Sequence, residues 1–159
     1  MAAMRRASSS DIDIVRGISS EAYLPYEAAI GIVPIPAVED YGPRIERGEV
    51  WLLEEDREAV GLAVLDEGPD HLFVYSIAVR PDLRGRGYGS VLLRFIDDKA
   101  VEIGVRIIRL YTNLRMERNI AIYLNHGYEK IGTRLHPTRP GHTLVDMTKR
   151  IGGSKGTAA

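Results

Sequence analysis

The sequence predicts an α+β domain built on a mixed, mostly antiparallel sheet with flanking helices. Three observations carry this. Strand-like segments at 50–54, 59–65 and 72–79 follow one another across short turns; one strand–loop–helix–strand unit then runs from 72 to 112; two further strand-like segments close the chain at 128–136 and 143–149. Hairpins beside a single crossover give a sheet of mixed direction. With 159 residues the chain is long enough to bury one core of its own. Residues 1–151 are expected to form that domain, and the small, polar residues 152–159 a loose tail.

Taken in order, Ser10 and Asp13 stand at capping-box spacing, and Ile14, Val15, Ile18 and Ala22 recur at helical spacing. A first helix is therefore expected over 11–23. Gly31, Pro34 and Pro36 prevent one regular element across 26–41. A short helix is expected within 37–47, ending at Gly48. Segments 50–54 and 59–65 read as strands joined by the charged turn Glu55-Asp56-Arg57-Glu58. Leu72 to Val79 is apolar on both alternating faces, as in a central strand covered on both sides. Val91, Leu92, Phe95, Ile96, Ala100 and Ile103 mark a long helix stopped by Gly104. A strand over 106–112, a short helix over 117–125 closed by Gly127, and the last two strands around Pro137–Gly141 complete the order.

Composition narrows the function. Lys plus Arg number 21 against 22 Asp plus Glu, a net charge of −1, so no basic excess drives nucleic-acid binding. Cysteine is absent, which removes disulfides, thiolate nucleophiles and Cys-ligated zinc. The histidines His71, His126, His136 and His142 lack metal-ligand spacing, and no metal is expected. The first residues carry two arginines with no apolar run behind them, unlike a secretory signal or a spanning segment. The expectation is a cytoplasmic protein with no membrane partner.

The most informative stretch is Arg84-Gly85-Arg86-Gly87-Tyr88-Gly89-Ser90, set between a strand with its Pro-Asp turn and a long helix. Glycines there allow backbone angles and close approaches that a Cβ forbids. The loop opens a helix, whose first N–H groups and positive dipole end suit a diphosphate. No Gly-Lys-Ser/Thr triplet follows, so it is not a P-loop, and position 90 holds Ser where a dinucleotide fingerprint needs Gly. Arg84 and Arg86 add positive charge at the rim.

The stretch from Ile77 to Gly89 resembles motif A of the GNAT-type (Gcn5-related) N-acetyltransferases. Asn119 to Tyr128 is similar to motif B, often written Asn-x-x-Ala-x-x-x-Tyr with a nearby Gly-Phe; here Tyr123 follows Ala121 by two residues, and Tyr128 stands for the Phe. The resemblance covers nearly the whole chain. It implies a GNAT-like sheet with a central splayed strand pair and acetyl-CoA as acyl donor. The backbones of Ile77, Ala78 and Val79 would hold the pantetheine and thioester, with the Ala78 N–H polarising the thioester carbonyl. Arg84, Gly85, Arg86, Gly87, Tyr88, Gly89 and Ser90 would hold the pyrophosphate. Asn119 would bond a pantetheine amide, and Tyr123 would contact the cofactor beside the sulfur and protonate the departing thiolate.

The implied reaction is direct acetyl transfer to an amine, with no covalent enzyme intermediate, because no Cys exists and no Ser lies in a nucleophile motif. The general base stays open: Leu72-Phe73-Val74-Tyr75-Ser76 holds no carboxylate, leaving Tyr75, Ser76, water or a distant group. The acceptor is expected to be a small-molecule amine or a peptide, bound among the N-terminal helices and the last hairpin. Tyr26, Tyr41, Tyr75 and Tyr111 are the aromatic candidates for that side, through cation–π contact or simply as packing. His136 and His142 flank the last turn, and His126 is expected to cap a helix end or meet solvent. Oligomeric state, a homodimer included, stays open. A rival reading is a non-catalytic acyl-CoA-binding or sensing module.

Overall fold

The structure, a computed structural model, describes residues 1–152. The expected tail lies outside the described residues beyond Gly152. One seven-stranded sheet takes its strands in the order β1-β2-β3-β4-β5-β7-β6. These strands are β1 (Ala3–Arg6), β2 (Val50–Glu55), β3 (Glu58–Glu67), β4 (Leu72–Val79), β5 (Ile107–Asn113), β6 (Glu129–Leu135) and β7 (Thr143–Arg150). The helices are α1 (Ile12–Tyr23), α2 (Tyr26–Ile30), α3 (Gly42–Glu46), α4 (Tyr88–Ile103) and α5 (Glu117–Asn125). The pairs β1/β2, β2/β3, β5/β7 and β6/β7 are antiparallel, and β4 runs parallel to β5 through Leu72↔Ile108 and Phe73↔Arg109.

By its contacts the chain forms two compact units, 1–66 with 74–95, and 67–73 with the residues from Ile96 onward. In the first, α1 lays Val15 and Ile18, both fully buried, on Val50, Leu52, Leu62 and Val64 of β2 and β3, with Tyr41 and Ile45 in the same cluster. The β2–β3 turn places Asp56 and Arg57 at φ 53 and 67, the left-handed pair that matches the twist of a two-residue hairpin. In the second unit Leu72, Ile96, Ile108 and Met147 are fully buried. The edge strand β6 is exposed at every residue.

Three expectations need correcting. The capping box is Ser8 with Asp11 rather than Ser10 with Asp13: the Ser8 N–H donates to Asp11 Oδ2 at 2.8 Å, and Arg5 grips the same carboxylate at 2.8 and 2.9 Å. A 3-10 turn at Ser9–Asp11 therefore precedes α1, which starts at Ile12. The strand β1 had no apolar signal because its pairing with β2 carries charge, Arg5 on Glu54 at 2.9 Å. The 26–41 stretch is, as expected, no single element: Tyr26–Ile30 forms a helical turn closed by Gly31 at φ 85, and Ile35–Ala37 a 3-10 turn. Finally, β4 is not covered equally on its two faces: Leu72, Val74, Ser76 and Ala78 are buried, while Phe73, Tyr75, Ile77 and Val79 are half-buried.

Candidate functional site

The loop between β4 and α4 is built as its glycines demanded. Gly85 and Gly87 sit at φ +83 and +87, where side chains are strained, and a Cβ at Gly85, Gly87 or Gly89 would meet no atom within 4 Å. The backbone is thus bare toward open space. Val91 is the first residue of α4 to donate back into the loop, to the Gly87 carbonyl at 3.1 Å. The N–H groups of Tyr88, Gly89 and Ser90 precede it and have no acceptor within the helix, as at any helix start. They can receive an anion in the space the glycines leave. Arg86 is exposed at this rim. Arg84 reaches the Ala22 carbonyl at the end of α1, at 3.4 Å. The Tyr88 hydroxyl donates to Glu55.

The end of β4 is pinned on two sides. Arg80 bonds Val60 O through its backbone N–H at 3.0 Å, Ala59 O through Nε at 2.9 Å, and Glu21 through Nη1 at 3.1 Å. A Cβ at Gly61 would stand 2.7 Å from the Ala78 carbonyl, so β3 tolerates no side chain there. A glycine inside a strand is the sequence signal for such an approach. The Tyr23 hydroxyl, from the last turn of α1, donates to Ile77 O at 3.0 Å and lies 2.9 Å from Ser76 Oγ. With Tyr23 giving its proton to Ile77, Ser76 is left to donate to Tyr23. Burial raises the Tyr23 pKa above the ordinary phenol value.

Beside Tyr75, a side-chain network fills the place where the sequence showed no carboxylate. Tyr75 donates to Glu39 Oε1 at 2.6 Å, Arg44 Nε donates to Glu39 Oε2 at 2.7 Å, and Arg44 Nη1 donates to Glu49 Oε1 at 3.0 Å. The Arg44 guanidinium lies over the Tyr75 ring, 3.8 Å from its centre. Burial, then the hydrogen bond and charge of Glu39, push the Tyr75 pKa well above the ordinary phenol value. Tyr75 is therefore protonated at neutral pH and cannot act as the base. Tyr41 is 1% exposed and gives its hydroxyl to Pro36 O at 2.6 Å. It is a core residue with no face to offer an acceptor. Tyr26 stays half-buried, its ring 6.4 Å from that of Tyr23.

In the second unit Asn119 and Tyr123 are half-buried, one turn apart on one face of α5. The Tyr123 ring meets Tyr128 edge-on at 5.6 Å, and the Tyr128 N–H donates to Tyr123 O at 3.0 Å. His126 closes the helix through its backbone, as expected, but its ring goes to Asp97 Oδ2 at 3.1 Å rather than to solvent. Tyr111 is 41% exposed, with Phe73 at 5.7 Å and the Arg134 guanidinium at 4.8 Å from its ring centre. His142 is buried and takes a hydrogen bond on Nδ1 from the Asn113 amide at 3.0 Å. His136 receives the Thr138 N–H on Nδ1 at 3.1 Å, and partial burial lowers its pKa. Among the described residues no group of three or more His, Asp or Glu is placed to hold a metal ion, and no helix is long and apolar enough to cross a membrane.

Comparison with known proteins adds to this geometry. The family profile described as the acetyltransferase (GNAT) family matches residues 18–128, from α1 to the start of β6. A curated relative, the L-2,4-diaminobutyric acid acetyltransferase of Nocardia farcinica, is 32% identical over 79 residues, which are 48% of this chain and 41% of that one. This chain thus spans less than half of that relative's length. Among solved structures, the ribosomal-protein-S18-alanine N-acetyltransferase from Escherichia coli is similar in fold at 20% identity, with 97% of each chain covered and a TM-score of 0.75. The PaiA N-acetyltransferase from Thermoplasma acidophilum, solved in complex with coenzyme A, is similar at 16% identity, covering 95% of this chain and 99% of its own, with a TM-score of 0.76. At these identities the two structures speak for the fold.

Proposed function

This chain belongs to the acetyltransferase (GNAT) family, and we propose that it transfers the acetyl group of acetyl-CoA directly to an amine of a small molecule or peptide. One observation carries the reading: a loop with two glycines at positive φ opens α4 and leaves bare backbone facing open space. That is what a pyrophosphate needs, and a purely structural helix start does not. The names of the relatives support both acceptor classes, one being an amino acid's amine and the other an alanine of a ribosomal protein. We read residues 1–151 as one catalytic domain acting in the cytoplasm.

In this reading the chain does four things. The amides from Gly85 to Ser90, with Arg86 at the rim, bind the pyrophosphate. The backbone of Ile77, Ala78 and Val79 holds the pantetheine arm, and the Ala78 N–H aims at the thioester oxygen as its charge grows. Arg80 and Gly61 fix the strand that does this, and Tyr23 holds Ile77 O. Asn119 bonds a pantetheine amide, and Tyr123 gives a proton to the leaving sulfur.

The test is thiol release from acetyl-CoA over a panel of amines and peptides, run beside calorimetry with coenzyme A. Amine-dependent release supports the reading. Tight coenzyme A binding with no release on any acceptor would make the protein an acyl-CoA-sensing module instead. No binding would remove both.

A further inference from the structure

We propose that Glu39 receives the acceptor's ammonium group and takes its proton, which makes the acceptor an alkylammonium. The proposal rests on the transferase reading above and names the base that the sequence left open. Tyr75 lies two residues before Ile77 on the half-buried face of β4, roughly 7 Å along the strand. Its hydroxyl fixes one oxygen of Glu39, at 2.6 Å, and Arg44 fixes the other, at 2.7 Å. An ionised carboxylate has about four lone-pair sites, so two are left. The Glu39 side chain is 20% exposed, which makes them reachable.

Charge favours a cation there. Arg44, only 18% exposed, is shared between two carboxylates, Glu39 and Glu49, and so neutralises one of them. Arg47 balances Glu49 from outside at 57% exposure, where water and salt screen it. The phenols of Tyr75 and Tyr41 are held above their ordinary pKa by burial and stay protonated, and Arg44 is protonated throughout. The Arg44 guanidinium carbon lies 3.8 Å from the Tyr75 ring centre, so the two groups that hold the carboxylate also contact each other.

The step balances as follows. Glu39 accepts one proton from the ammonium, freeing the nitrogen lone pair. The nitrogen–carbon bond then forms at the thioester carbonyl, the carbon–sulfur bond breaks, and its electron pair leaves on sulfur. Tyr123 gives that sulfur its proton and is restored by the second nitrogen proton, and Glu39 returns its own proton to solvent. One ammonium and one acetyl-CoA give one amide, one coenzyme A and one proton.

Glu39→Gln keeps the shape and removes the charge; Glu39→Asp keeps the charge one methylene further back. With n-butylamine, glycinamide and a lysine-containing peptide as acceptors, Glu39→Gln should lower kcat/KM at least about 100-fold, through both kcat and KM. Coenzyme A affinity should stay within about twofold. Glu39→Asp should recover at least about tenfold of the loss at similar melting temperature. Equal losses in both variants would make Glu39 a scaffold residue and overturn the proposal, as would a Gln variant within about threefold of wild type. Should the wild type acetylate none of the three, the transferase reading fails by itself, and calorimetry of the coenzyme A-loaded protein decides for Glu39. Butylammonium must then bind more tightly than 1-butanol, and Glu39→Gln must abolish the difference. No preference in the wild type, or a preference kept in the variant, sinks the assignment.

Discussion

Two regions of the first unit can be set side by side. Gly85 and Gly87 turn through φ +83 and +87, a Cβ on either would meet no atom within 4 Å, and Arg86 between them is exposed. Glu39, Arg44 and Tyr75 instead meet through side chains, half-buried and mutually bonded, with Glu39 and Tyr75 36 positions apart in sequence. In the proposed reading the first region receives a group common to every coenzyme A ester and uses atoms that every residue has. The second is shaped from residue-specific atoms and, in the same reading, receives the acceptor amine. Backbone recognition tolerates sequence change everywhere except at the glycines; side-chain recognition is open to change at each member.

The largest effect should come from filling the backbone cradle. Gly87→Val places branched carbons in the space that is now empty. It displaces two or three charge-assisted hydrogen bonds worth about 1.5–3 kcal/mol each, so coenzyme A affinity should fall at least about 100-fold. Positive φ adds about 1–2 kcal/mol of strain, so the melting temperature should drop modestly. Calorimetry beside a thermal melt separates the two. Affinity near wild type in a folded variant would leave the loop as a plain helix start.

Next comes the side chain expected to act on the leaving group. Tyr123→Phe keeps the ring packed against Tyr128 and removes the hydroxyl. Turnover should fall at least about tenfold, the modest end for a proton donor, since a thiol with a pKa of about 8.5 leaves readily. Coenzyme A affinity should hardly move. Steady-state kinetics with chemistry shown to be rate-limiting checks this, and unchanged turnover would return Tyr123 to packing.

A smaller pair of effects probes where the acceptor side begins. Tyr26→Ala should raise the acceptor KM a few-fold and leave acetyl-CoA alone, because Tyr26 is half-buried outside both motifs. Tyr41→Phe should do the reverse. Losing its hydrogen bond to Pro36 costs about 1 kcal/mol of stability and leaves KM unchanged. Kinetics and melts on both variants decide, and a KM effect at Tyr41 would redraw the boundary.

The same contrast explains what the sequence disclosed. Glycine spacing before a helical repeat is a local pattern, so β4, the hairpin turn and α5 are legible to within a residue, while α4 begins at Tyr88, three residues inside the stretch read as loop. The Ser8–Asp11 box and β1 were misread or missed because Arg5 makes both of them, and a charged residue carries no periodicity signal. Glu39 was invisible for a different reason. Nothing local to Val38-Glu39-Asp40 marks it, and only the packing of α1 and α3 on the sheet brings it to Tyr75.

The smallest expected effect is a control that touches neither region. Asp11 is 8% exposed and accepts from Arg5 and the Ser8 N–H, while Arg5 is 41% exposed. The Arg5 hydrogen bonds hold the Asp11 pKa well below the ordinary carboxylate value. A depressed folded pKa gives stability that is fully present above the unfolded value of about 3.9 and is lost as pH falls through the folded one. Asp11→Asn should therefore cost about 1 kcal/mol at neutral pH, a small figure because solvent screens Arg5. The difference between wild type and variant should shrink as pH drops below about 4, where the unfolded carboxylate protonates. Coenzyme A affinity and acceptor KM at pH 7 should not change. Melting curves at pH 7, 5 and 3 make the measurement; a gap that widens toward acid would mean that Asp11 is held neutral, and a loss of affinity would tie this corner to the cradle.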